Sequence, residues 1–175
     1  MMMGGNSMYY CKPVTTPVGE LTLIASDRGL SAILWQDEVR RHPRLWPVER
    51  DDNHPVLRET ETQLHEYFAG TRRRFTLPLD FAGTDFQIKV WQALLTIPFG
   101  ETRSYRQIAE AIGHPAAVRA VGAANGRNPL SIVAPCHRVI GTNGKLTGFA
   151  GGLAVKAFLL QLEAPQQGLV GLSSS

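Results

Sequence analysis

The hydrophobic period of this chain changes near residue 83, from strand-like segments separated by turns to helix start and stop signals at short intervals, so two different architectures must be joined in one molecule. In the first half, Tyr9-Tyr10-Cys11 leads to a turn at Pro17-Val18-Gly19, and strand-like residues 21–25 and 30–35 flank a second turn at Asp27-Arg28-Gly29. A three-stranded antiparallel meander is expected. Residues 37–53 are charged and contain Pro43 and Pro47, which predicts a variable loop. A helix then opens at His54-Pro55, because proline at the first helical position gives up only an N–H that has no intrahelical partner. Its apolar face carries Leu57, Leu64, Tyr67 and Phe68, and Gly70 ends it. Residues 75–80 alternate and are expected to rejoin the sheet, so residues 8–82 read as a small α/β domain.

The second half, residues 83–165, reads as mostly helical. Thr84-x-x-Gln87 is a capping box ahead of Phe86, Val90, Ala93, Leu94 and Ile97, and Pro98-Phe99-Gly100 stops that helix. Ser104-x-x-Gln107 is a second box, opening a short helix through Ile108, Ala109 and Ile112 that ends at Gly113. A third helix is expected to begin with Pro115 at its first position and to run towards Asn125. Two short helices joined by a tight glycine turn suggest helix-turn-helix. The last helix, 153–163, has an apolar stripe of Val155, Phe158, Leu159 and Leu162, with Glu163 near the buried face.

With 175 residues and 43% hydrophobic content, the chain can bury a core without staples. Cys11 and Cys136 show no C-x-x-C spacing, which argues against a disulfide framework or a zinc site and favours a reducing, cytoplasmic compartment. No run of about 18 apolar residues and no signal-like opening occurs, so neither membrane spanning nor secretion is expected. The net charge of +3 permits a polyanionic partner without specifying one. Residues 1–7 and 166–175 carry no motif and are expected to be disordered.

Chemistry concentrates at Pro135-Cys136-His137-Arg138-Val139, where a thiol stands next to an imidazole. A buried cysteine is ordinarily an inert small hydrophobe, and Cys11 keeps that assignment. Cys136 reads as a nucleophile, because Pro135 fixes the approach of the chain and a neighbouring base or cation lowers a thiol's pKa. In an extended stretch, adjacent side chains point to opposite faces, so a bridging water between Cys136 and His137 is favoured over a direct bond. Glu163 is either a solvated helix end or the group that orients His137. The helix 115–125 carries almost no side chain long enough to reach base edges, apart from Arg119. It reads either as a packed core helix or as a surface that presses into a narrow groove with Arg119 as a wedge, recognising shape rather than sequence.

Pro135-Cys136-His137-Arg138-Val139, preceded by Asn125-Gly126-Arg127-Asn128-Pro129 and followed by Gly148-Phe149-Ala150-Gly151-Gly152, resembles the 6-O-alkylguanine-DNA alkyltransferases, or methylated-DNA–protein-cysteine methyltransferases. The likeness covers about residues 84–163, and residues 8–82 are compatible with that family's ribonuclease H-like N-terminal domain. The resemblance implies a winged helix-turn-helix in the second domain. It also implies that Cys136 accepts an alkyl group irreversibly, that His137 acts through a water as its base, and that Glu163 completes the relay. By the same resemblance Asn128 links the recognition helix to the active-site loop, and Arg119, Ala120 and Tyr105 meet the DNA. Arg119 fills the space left by the extruded base, Tyr105 contacts that base, and backbone groups at Cys136, Val139 and Ala150 hold its edge. The implied partner is double-stranded DNA carrying alkylated guanine, and a monomer without cofactor is expected; the N-terminal zinc site of some family members has no visible ligand set in this sequence, so no metal is expected. Phe149 and Ala150 depart from a common family pattern of tyrosine and serine, which removes a hydroxyl contact to the lesion oxygen. Two alternatives stand beside this reading: a sensor that binds alkylated DNA without reacting, and a Cys-His thiol hydrolase that turns over.

Overall fold

The computed structural model describes residues 8–36, 38, 48–142 and 148–164. Strands β1 (Tyr9–Thr16), β2 (Gly19–Ser26) and β3 (Gly29–Trp35) form the expected antiparallel meander, with Tyr10 opposite Ala25 and Leu21 opposite Trp35. A fourth strand, β4 (Val48–Arg50), lies inside the segment expected to be loop and pairs parallel with β1, giving the order β3-β2-β1-β4. Its three residues include exposed Glu49 and Arg50, so this short, charged edge strand leaves no apolar alternation to read. Helix α1 (Pro55–Phe68) opens as expected, with His54 Nδ1 accepting from the Val56 N–H at 3.3 Å, and buries Leu57, Leu64 and Tyr67.

Residues 75–80 return to the sheet at one point only, a parallel bridge between Leu79 and Leu30. The Gln63 side chain takes the Thr76 backbone instead, accepting from its N–H at 2.9 Å and donating to its carbonyl at 3.3 Å. Pro78, lacking an N–H, contributes just a carbonyl to Leu30 N–H at 2.8 Å. Gly29 makes this crossing feasible, since a Cβ there would lie 2.6 Å from the Pro78 oxygen.

In the second half, α2 (Asp85–Leu94) and α3 (Tyr105–Ala111) both start at complete capping boxes, Thr84 with Gln87 and Ser104 with Gln107. Helix α4 spans Val118–Gly126, three residues later than the expected start. Pro115 sits in a turn closed by the Ala117 N–H on the His114 carbonyl at 2.9 Å, the second turn position that proline's fixed φ also suits. Strands β5 (Arg103–Ser104) and β6 (Val139–Ile140) pair in parallel, and the described residues hold no antiparallel hairpin after α4 that would serve as a wing. Helix α5 (Leu153–Leu162) buries Lys156 and Leu159, whereas Phe158, expected on its apolar stripe, is exposed.

One apolar cluster runs from Leu23 and Ile33 of the sheet through Leu64 and Tyr67 to Trp91, Val121, Leu130 and Leu159, so both halves share a core. The Ile33 N–H donates to the Pro129 carbonyl at 2.8 Å, which covers the edge of β3 with the segment that follows α4. On the opposite face of the sheet, Cys11 packs against Ile24, Ala32 and Leu34. Burial raises its thiol pKa, as suits the inert role expected of it. The ends expected to be disordered, 1–7 and 166–175, lie outside the described residues, as does 143–147.

Candidate active site

Helix α4 delivers Asn125 and Asn128 to a buried loop, residues 128–135, that leads into a 3-10 turn at Cys136–Arg138. Asn128 spans the loop, donating from Nδ2 to the Ala134 carbonyl at 2.8 Å and accepting the Leu130 N–H on Oδ1 at 3.0 Å. Ser131 Oγ accepts from Trp35 Nε1 at 3.1 Å, so strand β3 also grips the loop. Ile132 sits between these anchors at φ 75, a left-handed conformation that a β-branched side chain rarely adopts. Backbone bonds from Val133 to Ser131 and from Ala134 to Leu130 hold it there, so the strain is maintained by the surrounding structure.

Cys136 is 4% exposed. Burial pushes its pKa up to about 11, against hydrogen bonds from Asn128 and Ser131 and the nearby positive charge of Lys156. The expectation that neighbours depress this thiol is therefore overturned, because desolvation of the thiolate outweighs them. The resting nucleophile carries its proton.

His137 belongs to the 3-10 turn, not to an extended stretch, and points into the protein with no exposed surface. Its Nε2 lies 2.7 Å from Glu163 Oε2. Arg138 grips the same carboxylate, Nε to Oε1 at 2.8 Å and Nη2 to Oε2 at 3.0 Å, while Nη1 donates to the Ile97 carbonyl at 2.6 Å. Burial would raise the Glu163 pKa, but hydrogen bonds from His137 and Arg138 prevail and hold it at about 2, so the carboxylate is ionised. Burial lowers the His137 pKa more than Glu163 raises it, which keeps the ring neutral. An ionised acceptor at Nε2 places the single ring proton there and leaves Nδ1 a bare acceptor. Nδ1 is buried and has no hydrogen-bond partner among the described residues, so no direct bond joins His137 to Cys136, as expected.

Three residues that sequence reasoning did not single out for the site complete it. Lys156 is fully buried on α5 and donates from Nζ to the Val139 carbonyl at 2.7 Å; burial lowers its pKa, against the raising effect of Cys136. Its signal was available, since Lys156, Leu159 and Glu163 stand at i, i+3 and i+7 on one helical face. Tyr67, on α1, donates its hydroxyl to Glu163 Oε2 at 2.5 Å. Trp35 meets the edge of Phe149 at 5.6 Å between centroids, and a Cβ on Gly151 would lie 2.8 Å from its ring, so only glycine lets that loop approach so closely. Neither Tyr67 nor Trp35 carries a local sign of this role, because both act across the two halves.

The structure thus sets Asn128 against Cys136 and Glu163 against His137, and the chain bond from Cys136 to His137 joins the two pairs. Tyr105 begins α3 and lies half-buried, its ring 3.9 Å from where a Cβ on Gly122 would stand. Arg119 and Ala120 are exposed in the first turn of α4, whereas Val121, Ala124 and Asn125 face inward. Both readings of this helix therefore hold, one for each face. Val139 is fully buried, its N–H donating to the Cys136 carbonyl and its own carbonyl accepting from Lys156 Nζ, and Ala150 lies in the exposed turn before α5. A cleft of about 670 Å³ bordered by Arg73, Phe99, Ile132, Pro135 and Arg138 is separate from these groups, since neither Cys136 nor Tyr105 lines it. Among the described residues, no group of three His, Cys, Asp or Glu is placed to hold a metal ion, and no helix is long and apolar enough to cross a membrane.

Residues 8–81 match the ribonuclease-like domain of 6-O-methylguanine DNA methyltransferase, and residues 85–165 match the DNA-binding domain of the same family. A methylated-DNA–protein-cysteine methyltransferase of Mycobacterium leprae is 47% identical over 160 residues, covering 91% of this chain and 94% of the relative. This chain belongs to the 6-O-methylguanine DNA methyltransferase family. The constitutive methylated-DNA–protein-cysteine methyltransferase of Bacillus subtilis is 49% identical over 159 residues, with 89% and 96% of the two chains covered. The solved structure of Mycobacterium tuberculosis OGT in complex with DNA superposes with a TM-score of 0.80 at 46% identity, covering 90% of this chain and 95% of that one. The two-part fold of the methyltransferase family, a small α/β unit followed by a helical DNA-binding unit, is the fold seen here.

Proposed function

We propose that this protein reverses alkylation damage directly, moving the alkyl group from 6-O-alkylguanine in duplex DNA to Sγ of Cys136, once per molecule. The observation that carries the reading is the buried Cys136-His137-Glu163 arrangement, in which the thiol carries its proton and the neutral imidazole of the next residue has a buried Nδ1 with no hydrogen-bond partner among the described residues. The lesion carbon is out of reach inside a stacked duplex, so the nucleotide leaves the stack at a cost of about a few kcal/mol. Arg119, exposed at the start of α4 beside the small Ala120, fills the gap, and the short side chains let the helix lie close to the groove.

Entry of the base excludes water, and the Cys136 proton passes through one bridging water to His137 Nδ1 while Glu163 stabilises the imidazolium. The thiolate attacks the alkyl carbon in line. A sulfur–carbon bond forms, the bond from carbon to O6 breaks, and its electron pair goes to the guanine ring system. Tyr105 stabilises that charge by donating to a ring nitrogen, as an oxyanion-hole donor does. Lys156 opposes the charge on sulfur before transfer and holds the Val139 carbonyl, which fixes the end of the turn that borders the base together with Ala150. The product is a thioether, which has no carbonyl for water to attack, so Cys136 stays modified. The protein acts as a monomer in a reducing compartment, where a free thiol persists.

Intact-mass measurement after mixing with a methylated duplex tests this. One added methyl mapped to Cys136 is expected, with Cys136→Ala binding the duplex but transferring nothing. An unmodified protein after many repaired duplexes would favour turnover chemistry, and binding without any adduct would favour a sensor.

A further inference from the structure

The relay carboxylate receives a donor from the other half of the chain. Glu163 Oε2 takes three hydrogen bonds: from His137 Nε2 at 2.7 Å, from Arg138 Nη2 at 3.0 Å and from the Tyr67 hydroxyl at 2.5 Å. Among the described residues, Oε1 takes Arg138 Nε alone. Tyr67 is 1% exposed and its ring is fixed among Phe68, Phe75 and Phe99, with centroids 5.2, 5.5 and 6.3 Å away. A ring so confined cannot turn its hydroxyl towards water, so a carboxylate oxygen is the partner that burial demands. We propose that Tyr67 is a positioning residue for the alkyl transfer: its hydroxyl shares Glu163 Oε2 with His137 and so sets how strongly His137 takes the Cys136 proton.

The physical argument is competition at one oxygen. Each donor on Oε2 disperses negative charge that would otherwise stabilise the His137 imidazolium. Arg138 does so from the same turn, and it cannot be tuned because it never loses its proton. Tyr67 is also held protonated, since burial and then the Glu163 charge push its phenol far above the ordinary value. Among the described residues, the other titratable groups facing this centre are Lys156 from α5, whose charge lowers the basicity of His137, and Cys136, which carries its proton. Arg73 stacks on Phe99 at 5.3 Å and stands one ring removed. The α/β half thereby contributes to the chemistry and not only to the shared core.

This inference rests on the transfer reaction proposed above, and its test separates the two. The single-turnover rate of Cys136 methylation is measured against pH for the full chain, for Tyr67→Phe, and for the chain carrying a fluorinated tyrosine at position 67. Tyr67→Phe removes one donor, makes His137 more basic, and moves the acid limb of the profile up by about one pH unit. The fluorinated ring has a more acidic hydroxyl, donates more strongly, and moves the limb down. A uniform fall in rate with an unmoved limb in both proteins would assign Tyr67 a packing role and overturn the inference. Should Tyr67→Phe fail to fold, the limb of the fluorinated protein decides alone. An adduct on wild-type Cys136 with unmoved limbs leaves the transfer reaction standing, whereas no adduct in the wild type removes the reaction itself.

Discussion

Around Glu163, His137 and Arg138 are 0% and 6% exposed and grip its carboxylate through short, charge-assisted bonds. On the outer face of α4, by contrast, Arg119 and Ala120 are exposed. The buried centre has to bring a thiol with a pKa of about 11 to reaction, so its groups must be desolvated, paired and fixed before substrate arrives. In the function proposed above, the helix face has to fit any duplex, and small residues with one long cation suit that task. Changes should therefore be costly to the fold at the first site and costly only to duplex recognition at the second.

The largest effect is expected at Arg138. Arg138→Leu leaves the buried carboxylate and the Ile97 carbonyl without a donor, and should lower stability by about 3–5 kcal/mol in urea unfolding. The same variant has a pH signature. Glu163 is held from an ordinary 4.5 down to about 2, so its contribution is present above the unfolded value and lost as pH falls towards the folded one. Without Arg138 the folded value rises, and urea midpoints taken across about pH 2 to 5 should fall less steeply on acidification. A wild-type-like acid dependence would show that His137 and Tyr67 alone hold the charge.

Lys156 tests whether the two sites are as separate as they look. Lys156→Met preserves bulk but removes the cation beside Cys136, and should slow methyl transfer by about 100-fold with duplex affinity unchanged. Equal loss of rate and affinity would mean that Lys156 supports the whole loop. The smallest effect belongs to Arg119→Ala. It should slow transfer from duplex by about tenfold and leave transfer from free 6-O-alkylguanine base unchanged, since the loss falls on extrusion. Equal slowing on both substrates would remove the wedge role and with it the contrast between recognition face and reaction centre.

Local chemistry was legible wherever a few adjacent residues decide the outcome. The capping boxes at Thr84 and Ser104, the proline start at His54-Pro55 and the meander with its two turns all stand where sequence pattern put them. Cys136, His137 and Glu163 were nominated from residue type and spacing. Charge hid β4, and Pro115 served a turn instead of a helix start, because both motifs suit two structures equally well.

What the amino-acid order determined by itself was the inventory: which segments turn, which begin helices, and which side chains are able to react. The protonation state of that inventory was settled only by packing. Desolvation acts on a group according to everything that surrounds it, and so it reversed the expected shift at Cys136 and kept His137 neutral. The partners of Glu163 come from α1 and from the turn at Cys136–Arg138, and Trp35 reaches the loop from β3. Contacts across such separations leave no periodic trace along the chain, because the shared core that brings them together forms only when both halves are folded against each other.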